Sequence, residues 1–156
     1  QYLNKWILKR NDLANIYDNK LKNYVIVPSI FSDHFHSYHL YVIKTQKRNK
    51  LFAELKKKNV DVRIHYPIPV HKQKIYFSQN KNLSLPITEK TVEEIITLPI
   101  FPEMTEKQVN SVCKIIISSL RLYVKKILTK HLLSAFKENS TNGCIADWRF
   151  IFLNFI

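Results

Sequence analysis

The stretch Val60–Gln73, with the sequence VDVRIHYPIPVHKQ, decides how this chain is expected to fold. Its first seven residues place apolar side chains at every second position, a spacing that predicts a β-strand with one buried face. Pro67 ends this strand because proline cannot donate a hydrogen bond to a neighbouring strand, and Pro69 continues the break. The two prolines favour a stiff, extended turn that holds the side chains around it at set positions.

Periodicity on either side of this stretch predicts helices with a few short strands. Helices are predicted over residues 1–22, 47–59, 71–77 and 88–97, the last capped by Thr88, and a further helix opens at a capping box of Thr105 and Gln108. Strands are predicted over residues 24–27 and 38–44, with a strand or extended turn at 98–100. This order predicts an α/β fold, more narrowly an α+β domain in which helices cover a small sheet.

The composition restricts the classes of function. The chain has 156 residues, of which 46% are hydrophobic and 24% charged, as in globular domains. Its single glycine excludes dinucleotide-binding loops and P-loops, which need several glycines to approach phosphate closely. No apolar run is long enough to cross a bilayer. Because Gln1 is not a methionine and no secretory signal follows it, we expect the chain to begin partway through a longer protein.

The charge and the cysteines give weaker indications. The net charge is +13, which is typical of nucleic-acid-binding proteins, but twenty of the 25 basic residues are lysines spread over the whole chain. Reading of bases favours arginine, so we prefer general solvated charge and keep a basic nucleic-acid-binding module as an alternative. Cys113 and Cys144 have no zinc-binding spacing. Cys113 is predicted to be a buried free thiol, and a cytoplasmic location fits best.

Two clusters of histidine and tyrosine are the candidates for chemistry. The first cluster is His34-Phe-His-Ser-Tyr-His-Leu-Tyr41, and the second is Ile64–Gln73. No carboxylate or cysteine completes a metal site near either cluster, and no spacing typical of a catalytic set occurs. Imidazole, phenol and amide groups suit sugar hydroxyls and phosphate oxygens. A capped strand with a hydrogen-bonded core histidine explains the second cluster equally well, so the residues alone leave the enzyme class open.

Several stretches, in this order, resemble one enzyme family. They are the opening WILKRNDLANIY at residues 6–17, HSYHLYVI at 36–43, RNKLFAEL at 48–55, the stretch Val60–Gln73, LPITEK at 85–90 and IITLPIFPEMT at 95–105. Together they resemble the C-terminal small domain of the DegT/DnrJ/EryC1/StrS aminotransferases. The sequence around His65 is most similar to that of the subgroup that makes dTDP-linked 3-amino-3,6-dideoxyhexoses. The resemblance covers residues 1–120, with 1–22 as the interdomain helix, and leaves 121–156 as an extension of unknown origin with a helix and an apolar tail.

This resemblance implies a function for the intact protein. Such enzymes have the type I aminotransferase fold, form homodimers, and use pyridoxal phosphate to move an amino group, here expected from glutamate, to a nucleotide-linked keto sugar. An upstream large domain carries the lysine that binds the cofactor covalently. This chain is therefore expected to be inactive alone, with no catalytic, cofactor-binding or metal-binding residues, no nucleic acid partner and no membrane association. A protein-interaction module is a further alternative.

The same resemblance implies a role for one set of side chains. We expect the chain to form one wall of the active-site cleft, and the expected substrate-binding residues are His65, Tyr66, His71, His36, Tyr38 and His39. His65 and Tyr66 are expected to contact the sugar or its phosphates. Arg63 is expected to pair with a surface acid rather than with a phosphate.

Overall fold

A long helix, α1, opens the structure at Leu3–Leu21 and packs through its second half. The computed structural model describes residues 1–140, with the side chains of 1–123 and Thr129. The apolar tail predicted at the end of the chain lies outside the described residues. The buried side chains of α1 are Leu13, Ala14, Tyr17 and Leu21, whereas Leu3 and Trp6 near its start are exposed. The chain divides into two compact units, Gln1–Leu120 and Arg121–Ile156.

The sheet of the first unit is small and antiparallel. Strand β1, Tyr41–Lys44, pairs with β2, Ile95–Leu98, with Tyr41 opposite Leu98. Two isolated bridges extend the sheet on its outer sides, Ile26 with Lys44 and Arg63 with Thr97. The α/β class with a small sheet is therefore confirmed. The predicted strand at 38–44 is shorter than expected, and the one at 24–27 is reduced to a single bridge.

The predicted strand Val60–Tyr66 was wrong as a hydrogen-bonded element. Val60 and Val62 are buried while Asp61 and Arg63 are exposed, so the alternation of faces is present. Only Arg63 pairs with β2, and the N–H of Val62 donates within the segment, to the oxygen of Val60 at 3.0 Å. The alternation in the sequence correctly predicts which face of the segment is buried. It does not predict the backbone hydrogen bonds, and these show that the segment is not a strand.

Four helices complete the described fold. They are α2 at Arg48–Lys57, α3 at Lys74–Phe77 after a short 3₁₀ turn at Val70–Lys72, α4 at Pro86–Glu94, and α5 at Glu106–Ser140. The prediction of a helix over 88–97 was wrong at both ends. Pro86 occupies the first turn, where its missing N–H costs nothing, and the chain changes directly from α4 to β2. Thr88 makes no capping bond.

The change from helix to strand at Ile95 has a tertiary cause. All four residues of β2 are buried, and three of them are β-branched, which suits a strand that is covered on both faces. The buried side chains of the core come from α1, α2, α5, both strands and the segment around Val62; they include Tyr17, Tyr41, Ile43, Leu51, Leu55, Val62, Ile96, Leu98, Val109 and Ile116. Within the part of the chain that the structure describes, no helix is long and apolar enough to cross a membrane.

The capping box at the start of α5 is confirmed. The N–H of Gln108 donates to Oγ1 of Thr105 at 3.3 Å, and the N–H of Thr105 donates to Oε1 of Gln108 at 2.8 Å. The helix buries Val109, Val112, Cys113 and Ile116, as its periodicity predicts, and leaves Ile117 and Leu120 half-buried.

We expect Thr105→Ala to lower the free energy of unfolding by about 1 kcal/mol, because both hydrogen bonds of the Thr105 hydroxyl, from the N–H of Gln108 and to Oε1 of Gln108, are lost. Urea denaturation followed by circular dichroism measures this change. Thr88→Ala is the matched control: this exposed threonine makes no capping bond, and its removal should change stability by less than about 0.5 kcal/mol. Equal effects of the two substitutions would contradict the assignment of the cap.

Candidate functional site

The second cluster forms a turn that leaves the sheet beside β2. His65 is half-buried, and its Nδ1 lies 2.9 Å from Oγ1 of Thr97, the residue of β2 that also pairs with Arg63. Tyr66 follows through a cis peptide bond and is 69% exposed. Its ring meets that of His65 edge to face, with 5.5 Å between the centroids. The turn therefore presents a phenol to solvent next to an imidazole that is fixed to the sheet.

His71 is placed differently from its neighbours in this cluster. Its side chain is only 7% exposed, and its Nε2 lies 3.0 Å from Oε1 of Glu89 on α4. Lys72 binds the other carboxylate oxygen at 2.7 Å. These contacts hold the pKa of Glu89 at about 2, below its ordinary 4.5, with the Lys72 bond as the largest cause. His71 is therefore a buried histidine that binds a carboxylate, as expected if the second cluster contains a hydrogen-bonded core histidine.

The first cluster leads into β1, which begins at its last residue, Tyr41; its two tyrosines are buried and its three histidines are exposed. Tyr38 is 2% exposed, has a positive φ of 45°, and stacks on Tyr41. His36 is exposed, and its Nδ1 accepts the N–H of Tyr38 at 3.0 Å. His39 is exposed. Because Nδ1 of His36 accepts a hydrogen bond, the neutral ring carries its proton on Nε2 and is a donor there.

Helix α1 fixes the backbone of the first cluster. Nε of Arg10 donates to the oxygen of Ser37 at 2.8 Å, and Nδ2 of Asn11 donates to the oxygen of His36 at 2.9 Å. Sequence reasoning missed both residues. No local signal identifies them, because an arginine or asparagine on a polar helix face shows its partner only when the loop is folded against it.

The two tyrosines of the first cluster pack against Tyr17 of α1 through Tyr41. Tyr41 stacks between Tyr38 and Tyr17, with centroid distances of 6.0 and 4.7 Å, and its hydroxyl donates to Oδ1 of Asp18. Burial raises the pKa of Tyr41 and of Tyr17 well above their ordinary values, and it also raises the pKa of Asp18. The Tyr17 hydroxyl donates to the oxygen of Pro99 at 3.0 Å. These phenols are held neutral and have a supporting role.

The two clusters remain separate in the structure. No hydrogen bond or ring contact within residues 1–123 joins the first cluster to the second. His34 pairs with Asp33 on the surface, and Arg63 pairs with Asp61 at 3.1 Å, which confirms the expected surface acid for Arg63. In the described part of the chain no group of three histidine, cysteine or acidic residues is placed to hold a metal ion.

The described residues do not fit a covalent pyridoxal phosphate site. A lysine that forms a Schiff base must reach a pocket next to the ring, but none of the lysines in residues 1–123 is buried. Lys44, one of the less exposed, is engaged by Glu94 at 3.7 Å and by Oγ1 of Thr91 at 3.4 Å. The carboxylate of Asp18 is likewise engaged within the domain, because it accepts a hydrogen bond from the hydroxyl of Tyr41. The exposed imidazole and phenol groups can donate hydrogen bonds to polar groups and accept them.

Comparison with known proteins gives a consistent family. The sequence pattern of the DegT/DnrJ/EryC1/StrS aminotransferase family matches residues 1–117. The dTDP-3-amino-3,6-dideoxy-alpha-D-galactopyranose transaminase of Aneurinibacillus thermoaerophilus is 36% identical over 112 residues, which cover 71% of this chain and 31% of that protein. The chain thus spans about a third of the length of this relative.

Solved structures agree with the sequence match. A DegT DnrJ EryC1 StrS aminotransferase from Brucella abortus superposes with a TM-score of 0.70 at 26% identity, covering 76% of this chain and 32% of that one. NtdA from Bacillus subtilis, with the bound cofactor PMP, superposes with a TM-score of 0.69 at 28% identity, covering 77% and 29%. Over the covered part, these proteins share the fold of this chain.

Proposed function

Because this chain belongs to the DegT/DnrJ/EryC1/StrS aminotransferase family, we propose that it forms the small-domain wall of a cleft in which a keto sugar on a nucleotide is aminated. The sugar class we propose is a dTDP-linked 3-keto-6-deoxyhexose, because the matched Aneurinibacillus protein is a transaminase of that product type. Glutamate is the proposed amino donor, a homodimer the proposed assembly, and the cytoplasm the proposed location. Pyridoxal phosphate is the cofactor of these aminotransferases.

The observation that carries this proposal is the exposed Tyr66 beside the fixed ring of His65. A phenol that is 69% exposed on a proline-bounded turn is free to donate to and accept from sugar hydroxyls or phosphate oxygens. Thr97 occupies Nδ1 of His65 and so leaves Nε2 for a ligand. Two polar atoms at a fixed spacing orient a sugar, whereas a mobile pair would lose that advantage to conformational entropy.

The first cluster supplies a second contact in this proposal. In this proposal the Nε2–H of His36 donates a hydrogen bond to a phosphate oxygen of the nucleotide. His39, three residues further along the chain, is also exposed. Tyr38 and His71 were expected to contact substrate, and their burial gives them a different proposed part. Tyr38 supports the ring of His36, with 4.5 Å between the centroids, and His71 anchors the turn that carries Tyr66.

The division of work between domains is also part of the proposal. Residues 1–120 would form the small domain and 1–22 the interdomain helix, with 121–156 as an extension. No lysine of residues 1–123 is buried, and by the family resemblance the cofactor lysine belongs to the large domain; we therefore propose that these 156 residues by themselves form no covalent link to pyridoxal phosphate and have no transaminase activity.

The basic excess does not favour a nucleic-acid interface over this proposal. Lys56 and Arg63 share the carboxylate of Asp61, and Lys44 faces Glu94. The pKa of Asp61 is lowered, chiefly by the hydrogen bond from Lys56, as expected for a carboxylate between two cations. These cations are engaged on the surface of the domain, and the family match points to an aminotransferase.

We expect dTDP-glucose at millimolar concentration to shift the NMR resonances of the Tyr66, His65 and His36 side chains in the 156-residue chain. Tyr66→Ala should weaken this binding by roughly tenfold, because one charge-assisted hydrogen bond and a ring contact are lost. Tyr76→Ala is the matched control, since Tyr76 is also exposed, at 42%, but lies outside the proposed site. A wild-type chain in which none of the three side chains responds would overturn the proposal.

A further inference from the structure

The loop of residues 66–85, called the 66–85 loop below, is not held to the domain by hydrophobic burial. Its large apolar side chains are exposed; they are Tyr66, Ile68, Val70, Ile75, Tyr76, Phe77, Leu83 and Leu85. Its backbone hydrogen bonds are local, as from Lys72 to Pro69 and from Gln73 to Val70. The one buried side chain of the loop is that of His71, which is polar. A polar contact must therefore hold this loop in place.

That contact converges on the single carboxylate of Glu89. Its Oε1 lies 3.0 Å from Nε2 of His71 and accepts the N–H of Leu85 at 3.0 Å, while its Oε2 lies 2.7 Å from Nζ of Lys72. His71 and Lys72 lie in the first half of the 66–85 loop and Leu85 lies at its end, and Glu89 lies on the first turn of α4. One side chain thus fastens the loop at two separated points to a helix that leads directly into β2.

The position of Tyr66 depends on two anchors. On one side, His65 is bonded to Thr97 of β2. On the other, His71 is bonded to Glu89. The five residues between these anchors include Pro67 and Pro69, whose fixed φ angles leave few conformations for the segment. If one anchor is released, Tyr66 keeps its neighbour His65 but loses the fixed course of the chain that follows it.

We infer that Glu89 is a positioning residue for sugar binding: through His71 and Lys72 it holds the 66–85 loop so that Tyr66 keeps its place beside His65. This inference rests on the proposed function, because it gives Glu89 a part in the same site. In this proposal Glu89 does not contact the substrate. It affects binding only by holding the 66–85 loop in place.

Hydrogen exchange of the 156-residue chain without ligand tests the anchor. In Glu89→Ala we expect the amides of Lys72, Gln73 and Tyr76 to exchange roughly tenfold faster, whereas the core amides of Ile43 and Ile96 keep their rates. Lys72→Met, which leaves α4 intact, should act in the same direction with a smaller effect. Glu93→Gln is the matched control on the exposed side of α4 and should change none of these rates. Unchanged loop exchange in Glu89→Ala would overturn the role of Glu89.

Titration with dTDP-glucose tests the consequence for binding. In Glu89→Ala we expect the response of the Tyr66 ring to weaken at least about fivefold, while the response of His36, which α1 holds independently, remains. A uniform loss at both clusters would indicate general unfolding and contradict positioning. The two proposals fail separately: a wild-type Tyr66 that does not respond overturns the proposed function, and the exchange rates without ligand still decide whether Glu89 holds the loop.

Discussion

Tyr41→Ala is expected to destabilise the domain by about 3–5 kcal/mol, a large share of the roughly 5–15 kcal/mol that stabilises an ordinary domain. Tyr41 is fully buried, opens β1, and stacks on Tyr17 and Tyr38. Truncation removes both ring contacts and leaves the half-buried Asp18 without its donor. Urea denaturation followed by tryptophan fluorescence and circular dichroism measures the loss.

Two control variants separate the contributions to this effect. Tyr41→Phe keeps the ring and removes only the hydroxyl, so we expect a loss of about 1–3 kcal/mol from the unpaired Asp18. Tyr2→Ala removes an exposed aromatic side chain and should cost less than about 0.5 kcal/mol. If Tyr41→Ala cost no more than Tyr2→Ala, the core as described around β1 would be wrong.

Cys113 is expected to react with a thiol reagent at least about a hundredfold more slowly in the folded chain than in urea at pH 8. Burial raises the pKa of this thiol from 9.0 to about 11, which alone lowers the thiolate fraction about a hundredfold, and its 1% exposure restricts access further. The measurement is the rate of labelling with a chromogenic disulfide reagent.

The background for this measurement is Cys144→Ser, which leaves Cys113 as the only thiol of the chain. Adding Tyr41→Ala to this background provides an internal check, because unfolding of the core should return labelling towards the rate in urea. Labelling of the folded single-cysteine chain at the rate of the unfolded chain would refute the burial of Cys113 in α5.

Local sequence patterns predicted the helices well where one face of the helix is buried and the capping residues can be recognised in the sequence. The capping box of Thr105 and Gln108 and the buried face of α5 appear as expected, because both depend on residues three or four positions apart. The helix predicted to 97 ends at Glu94 instead. Local propensity does not predict that Ile95–Leu98 has a strand partner in β1, more than fifty residues upstream.

The candidate site was predicted in its residue types and only in part in its geometry. The sequence placed His65 and Tyr66 at the end of an extended segment and marked the prolines that stiffen the turn. It also marked His71 and Tyr38, which the structure buries. Burial depends on which distant side chain is available as a partner, and neither Glu89 nor Asn11 carries a local signal of that role.

By itself, the sequence determined the family, the helical faces and the polar groups that a ligand can meet, because these follow from residue type and short-range spacing. Only the tertiary structure decided which histidine is anchored and which ring is exposed. The carboxylate of Glu89 and the hydroxyl of Thr97 fix those choices from positions 18 and 32 residues away from their histidine partners. Such contacts form only when distant parts of the chain fold against each other, so the periodicity of one segment cannot predict them.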